Sequence, residues 1–219
     1  MSDRSDRFGD SDRASASGRT DREVADRSGG EVADPPSWRP VADEQLESCR
    51  VFDVHRATMA CPHTGRAHPF YRLECPDWVN VVALTDREEL VLVRQFRQGS
   101  RTVTLEIPGG MLDPGETPAE AGARELLEET GHRAARMVDL GSINPNPALF
   151  TNRCHMQAAL GCEPVAPIRN GPTEETRVEL MPWSALHDAV RRGAIDHALV
   201  VAAFGHLSRV AGGFRRPVP

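Results

Sequence analysis

The chain contains no lysine: all 26 basic residues are arginine, set against 32 acidic ones, and the formal net charge is −6. Without a basic excess there is no broad electrostatic anchor for a polyanion, so neither nucleic acid nor a membrane surface is an expected partner. A local arginine cluster inside a pocket stays open, because the guanidinium fork suits phosphate and carboxylate. Long apolar runs are also missing. No window approaches the roughly 20 residues needed to span a bilayer, and the polar N-terminus offers no stretch that reads as a signal peptide. The cysteines are Cys49, Cys61, Cys75, Cys154 and Cys162. Their odd count and spacing fit no disulfide framework, which points to reduced thiols and a cytoplasmic setting. Cys61-Pro62-His63 has a metal-like look, but no second metal-spaced pair accompanies it, so zinc is not expected there.

What is present begins with a composition shift. Ser-Asp-Arg occurs at residues 2–4, 5–7 and 11–13, and apolar residues are almost absent before Trp38. Such a stretch cannot bury enough surface to offset its ordering entropy, so residues 1–40 are expected to be a disordered tail. The Pro35-Pro36 and Pro40 cluster marks its end. One domain is expected over residues 41–212, followed by a short tail, 213–219.

Within the domain, residues 49–58 and 68–75 alternate as strands do. The runs 78–85 and 90–96 are apolar and β-branched and read as a hairpin around Asp86-Arg87-Glu88-Glu89. A strand over 102–107 ends at Pro108-Gly109-Gly110. Thr117 is a good N-cap, Pro118 suits the first helical position and Glu120 completes a capping box, so a helix is expected over 118–130 with Gly131 as its stop. Further strands are expected near 137–143, 154–160 and 176–181, and closing helices near 183–192 and 196–210. Strands on both sides of one central helix suggest an α/β (α+β) sandwich built on a mixed sheet.

Glu125, Glu128 and Glu129 stand at i, i+3 and i+4 and share one face of the expected helix. Three glutamates alone make an ordinary solvated acidic face. Glu116 adds a fourth carboxylate within reach, and a bound divalent cation relieves such a cluster. Oxygen ligands favour Mg²⁺ or Mn²⁺ over zinc. The flanking residues then decide against the ordinary reading. The segment runs Gly110, five residues, Glu116, seven residues, Arg124-Glu125-Leu126-Leu127-Glu128-Glu129-Thr130-Gly131. It resembles the signature of the Nudix family, with seven fixed identities at the required spacing. A chance match is roughly one in a million. The one departure is the closing apolar position, occupied by His132.

The resemblance implies a Nudix fold and hydrolysis of a nucleoside diphosphate linked to another group. It implies Glu125, Glu128 and Glu129 as metal ligands, with Glu116 supporting the cluster, and Glu128 and Glu129 as central to catalysis. It implies that Arg124 holds a glutamate by a charge-assisted hydrogen bond, and that the Gly109 carbonyl binds metal. The pattern Val93-Arg94-Gln95-Phe96-Arg97 with Leu105-Glu106-Ile107-Pro108-Gly109-Gly110 is similar to the ADP-ribose pyrophosphatase branch, as is Pro147 beyond the signature. In that branch a later acidic loop supplies a base, which here points to Glu174 first and Glu175 second. Arg97, Glu106 and, less so, Arg94 are candidate substrate contacts; either arginine can instead form a structural ion pair. Phe150 or Trp78 can stack on a base or belong to the core. The segment Ala148 to His155 differs from the branch pattern, so another nucleotide sugar or a dinucleotide (NADH or GDP-mannose type) stays open.

The branch resemblance also implies a homodimer, with residues 47–75 at the interface. Three other readings compete. A non-catalytic sensing module is disfavoured by the intact glutamates and by the short segment after Trp183, too short for a fused DNA-binding domain. An RNA-processing enzyme is disfavoured by the acidic balance. A housecleaning enzyme for damaged nucleoside triphosphates is disfavoured by the branch-like residues.

Overall fold

In the computed structural model, residues 34–210 are described. The tail expected over 1–40 lies outside the described residues up to residue 33, as does the segment 213–219. Its last residues are not tail: strand β1, Arg39–Ser48, begins inside it. β1 carries no alternation, and all ten positions are exposed. It is ordered by pairing with β2, Asp53–Ala60, which pairs in turn with β3, Ala67–Glu74, to make a three-stranded antiparallel sheet. Asp43 of β1 reaches across β2 to Arg72 of β3, with Nη1 to Oδ1 at 2.9 Å. A charged edge strand of this kind has no hydrophobic period to betray it.

The second sheet holds β4 (Trp78–Leu84), β5 (Glu89–Arg97), β6 (Thr102–Glu106), β7 (Gly109–Met111), β9 (Arg136–Ile143), β10 (Cys154–Leu160) and β12 (Thr176–Pro182). Two-residue strands β8 (His132–Arg133) and β11 (Glu163–Pro164) pair separately. The helices are α1 (Pro118–Thr130), α2 (Leu186–Arg191, entered through a 3₁₀ turn at Trp183–Ala185) and α3 (Ala198–Val210). The main sheet is mixed, because β10 runs parallel to β4 and antiparallel to β9.

The expected hairpin at 78–96 exists only at its root. β4 and β5 pair at Leu84 and Leu90 and then part. The wedge between them is filled by the next segment: β6 pairs with β5, and β7 pairs with β4. The crossing point is Pro108, whose carbonyl accepts the Val81 N–H at 2.9 Å. Proline has no N–H to waste at such a crossing. This insertion carries Gly109 and Gly110 into the middle of the sheet.

Period-two alternation divides the core between two faces. Val79, Val81, Ala83 and Val91 pack with Ala121 and Leu126 of α1. Val82, Leu84, Leu90 and Leu92 face the other way, against Leu186, Ile195, Val200 and Leu207. The expected sandwich of a mixed sheet between helices is therefore the fold. Leu126 is fully buried, a burial that stabilises by roughly 1.5–3 kcal/mol.

Helix α1 starts as its capping box dictates. Thr117 Oγ1 accepts the Glu120 N–H, and Glu120 Oε2 accepts the Thr117 N–H at 2.9 Å. It stops at Gly131, whose φ of 69° is left-handed. His132 is buried in the slot where the signature wants an apolar residue, and its Nδ1 lies 2.9 Å from the Thr130 carbonyl. A Cβ on Gly131 would lie 2.0 Å from the Ala166 carbonyl oxygen. Gly131→Ala therefore suffers both a left-handed backbone and a backbone clash. We expect a loss of about 2–3 kcal/mol, read as a lower urea midpoint; an unchanged midpoint contradicts this packing.

Candidate active site

The carboxylates gather where α1 meets the inserted glycines. Glu129 is 4% exposed, and its Oε2 accepts the Gly109 N–H at 2.9 Å. A Cβ on Gly109 would sit 2.3 Å from the Val79 carbonyl oxygen, and one on Gly110 would sit 2.3 Å from Glu125 Oε1. Only glycine lets the strand pass this close to both β4 and the carboxylates. Burial above all, joined by the neighbouring Glu125 and Glu174 charges, pushes the Glu129 carboxyl up to about 8 against the pull of the Gly109 N–H and Arg97. Burial also raises Glu125, with Arg124 opposing it.

Arg124 is the hub of the outer carboxylates. Its Nε and Nη2 hold the two oxygens of Glu116 at 2.9 and 3.0 Å. Nη1 reaches Glu125 at 2.8 Å and Glu128 at 3.3 Å, and Nη2 also donates to the Met111 carbonyl at 2.9 Å. The Arg124 hydrogen bond, helped by the Asp113 N–H, holds Glu116 below the usual carboxylate range. A planar guanidinium serving three carboxylates and a carbonyl fits its fixed fork of donors.

A second arginine pair stands on the same face. Arg97 of β5 donates to both oxygens of Glu106 on β6, at 2.7 and 2.6 Å, and Thr104 Oγ1 donates to Glu106 Oε1 at 2.6 Å. Burial works to raise Glu106, which is 2% exposed, but these partners hold it below the usual range. Arg97 is also within electrostatic reach of Glu129 and Glu174. Arg94 is not in this group. Three residues from Arg97, it falls on the opposite side of the pleat and pairs with Glu179 of β12 at 2.5 Å. We therefore place it outside the site, as a cross-strand ion pair. Thr104, which no motif flags, belongs inside it by its bond to Glu106.

Glu174 closes a turn with its N–H on the Gly171 carbonyl at 3.2 Å, and its charge is felt by Glu129 and Glu125. Glu175 is exposed and 3.8 Å from Arg177. Trp78 and Phe150 pack edge-to-face against each other, with centroids 5.4 Å apart. Among the described residues, no three acidic, histidine or cysteine side chains converge on one point. The donor set nonetheless suits a hard divalent cation: carboxylate oxygens only, crowded on one side, with Glu129 buried against a single N–H donor. Glu125 and Glu128 turn toward Arg124.

A family model for the NUDIX domain matches residues 76–204. The chain belongs to the Nudix family. An ADP-ribose pyrophosphatase of Mycobacterium tuberculosis (strain ATCC 25618 / H37Rv) is 30% identical over 186 residues, covering 83% of this chain and 88% of that protein. An ADP-ribose pyrophosphatase of Bacillus subtilis (strain 168) is 31% identical over 118 residues, 54% of this chain. The match spans 63% of the length of that relative. A solved structure titled as an ADP compounds hydrolase superposes with a TM-score of 0.72 at 22% identity, over 83% of this chain and 97% of that one. This Nudix chain is thus related to ADP-ribose pyrophosphatases and shares its fold with the ADP compounds hydrolase.

The raised Glu129 carboxyl makes stability depend on pH. Its folded value lies above the ordinary 4.5, so the folded state holds the extra proton between the two. The contribution is complete below pH 4.5 and is lost as pH rises through about 8. Glu106, shifted downward, is constant over that window. In chelator, Tm should fall from pH 5 to pH 8.5, and Glu129→Gln should flatten the fall. Equal slopes in both proteins would show that Glu129 is not the group responsible.

Proposed function

We propose that the chain hydrolyses the pyrophosphate of a nucleoside diphosphate derivative, with ADP-ribose as the leading substrate, giving AMP and ribose 5-phosphate. The observation carrying this reading is the Gly110–Gly131 signature folded so that Glu125 and Glu129 lie against Gly109 and Gly110. ADP-ribose leads because the M. tuberculosis ADP-ribose pyrophosphatase aligns along most of both chains. Another nucleotide sugar or a dinucleotide is the alternative, favoured by the divergent segment from Ala148 to His155.

In this reading Glu125, Glu128, Glu129 and the Gly109 carbonyl hold Mg²⁺ or Mn²⁺, with Glu116 and Arg124 supporting the cluster. The ion supplies charge neutralisation at the pyrophosphate and an acidified water. Glu174 takes the proton of the attacking water as oxygen bonds to phosphorus and the far phosphate leaves. Glu175, turned to Arg177 on the surface, is the weaker candidate. Arg97 faces the substrate phosphates from beside Glu106.

The reading extends to a homodimer. Trp38, Val41 and Leu46 of the β1 region and Phe70 and Tyr71 of β3 are all at least 40% exposed, an apolar surface suited to a second copy. Among the described residues no helix is long and apolar enough to cross a membrane, and the unpaired cysteines suit a reducing cytoplasm.

Purified protein should release AMP from ADP-ribose with Mg²⁺ or Mn²⁺ and not with EDTA, run beside NADH, nucleotide sugars and diadenosine polyphosphates. Glu129→Gln should reduce turnover to background, and Glu174→Gln should lower kcat by about 10²–10⁴-fold. Faster cleavage of another compound keeps the chemistry and replaces the substrate. Full activity of Glu129→Gln with Mg²⁺ would falsify the metal assignment. Sedimentation should give twice the chain mass.

A further inference from the structure

A helix leaves its last four carbonyls without partners of its own. In α1 these belong to Leu127, Glu128, Glu129 and Thr130. The Gly131 N–H serves Leu127 at 2.9 Å, and the His132 ring nitrogen lies 2.9 Å from the Thr130 oxygen. The other two are served from far along the chain. The Arg169 N–H donates to Glu128 at 2.8 Å, and the Thr176 hydroxyl reaches the Glu129 carbonyl at 2.9 Å. Residues 165 and 166 add their N–H groups to the Gly131 carbonyl, at 2.8 and 3.1 Å.

These contacts bracket the loop that bears Glu174. Arg169 and Asn170 stand before it, and Thr176 after it. Thr176 is 5% exposed, and its Oγ1 also lies 2.8 Å from Asn170 Oδ1. One hydroxyl proton cannot serve two acceptors. With the Asn170 side-chain amide turned over, its NH₂ donates to the hydroxyl while the hydroxyl donates to Glu129. Thr176 then joins the two ends of the 170–176 loop to each other and to the backbone of Glu129, whose carboxylate is buried in the site.

We propose that Thr176, with Asn170, is a positioning residue that staples the Glu174 loop to the C-terminal end of α1 and fixes Glu174 relative to Glu129. The inference rests on the proposed reaction for its catalytic consequence. The staple itself is a matter of structure. An aspartate or glutamate on an untethered loop would drift by an ångström or more, and such misplacement costs on the order of a hundredfold in rate.

The test uses full-length wild type, Thr176→Val, Thr176→Ser and Asn170→Ala. Valine keeps the volume and removes the hydroxyl; Asn170 is exposed, so its truncation leaves the core intact. Amide hydrogen exchange of residues 169–175 should quicken about tenfold in Thr176→Val, the effect of one lost buried hydrogen bond, while the first turns of α1 stay protected. On the fastest substrate with Mg²⁺, kcat should fall about ten- to a hundredfold, with KM within about twofold. Thr176→Ser should restore both readouts, and Asn170→Ala should shift both in the same direction by less. Unchanged exchange in Thr176→Val, at unchanged Tm, overturns the staple. Faster exchange with wild-type kcat overturns its positioning role. A wild type that cleaves nothing overturns the proposed reaction instead, and exchange still decides whether the hydroxyl holds the loop.

Discussion

Glu125, Glu128 and Glu129 share one face of α1, and each like-charged pair at this spacing repels by roughly 0.2–0.5 kcal/mol even when exposed to water. Here Glu129 is buried as well, where the repulsion is felt through a poorer dielectric. The surrounding structure is arranged around this strain. Arg124 neutralises the outer carboxylates, the Gly109 N–H meets Glu129, and Glu125 is left with burial and its neighbours raising its carboxyl. The result is a site in which Glu129 favours its protonated form. That is the physical sense of placing so much acid at one helix face.

The scaffold serves this arrangement by an unusual exchange of partners in the sheet. β4 and β5 separate after one residue pair, and the segment from Thr102 to Met111 fills the gap. It gives Glu106 to the Arg97 side and two glycines to the α1 side in a single pass. The C-terminal end of α1 is tied down by the loop from Val165 to Thr176, which satisfies the helix's last carbonyls while carrying Glu174. One helix therefore organises carboxylates from its own face, and its C-terminal half meets both the insertion and the loop that complete the site.

Some of this was legible before any coordinates. The capping box at Thr117, the stop at Gly131 and the bounds of α1 follow from local chemistry, and they are as expected. The strand at 154–160 is as expected too. β1 was not legible: its ten residues are exposed, and its order comes from partners up to 29 residues away, as Asp43 and Arg72 show. The hairpin was legible only in part, since the turn at 85–88 is local but the identity of the next strand's partner is not. Thr104, Asn170 and Thr176 carried no signal, because a hydroxyl or amide acquires its role only from what packs beside it.

The sequence by itself determined the family, the carboxylate helix and the glycines that flank it, because these depend on spacing along a single element. Periodicity and capping act over a few residues and are written directly in the order of side chains. Tertiary structure alone decided that Arg97 faces the carboxylates while Arg94 crosses to Glu179, and that Thr176 reaches the end of α1. Those outcomes depend on strand register and on which face of the pleat meets the helix, and register is settled only when the whole sheet is assembled.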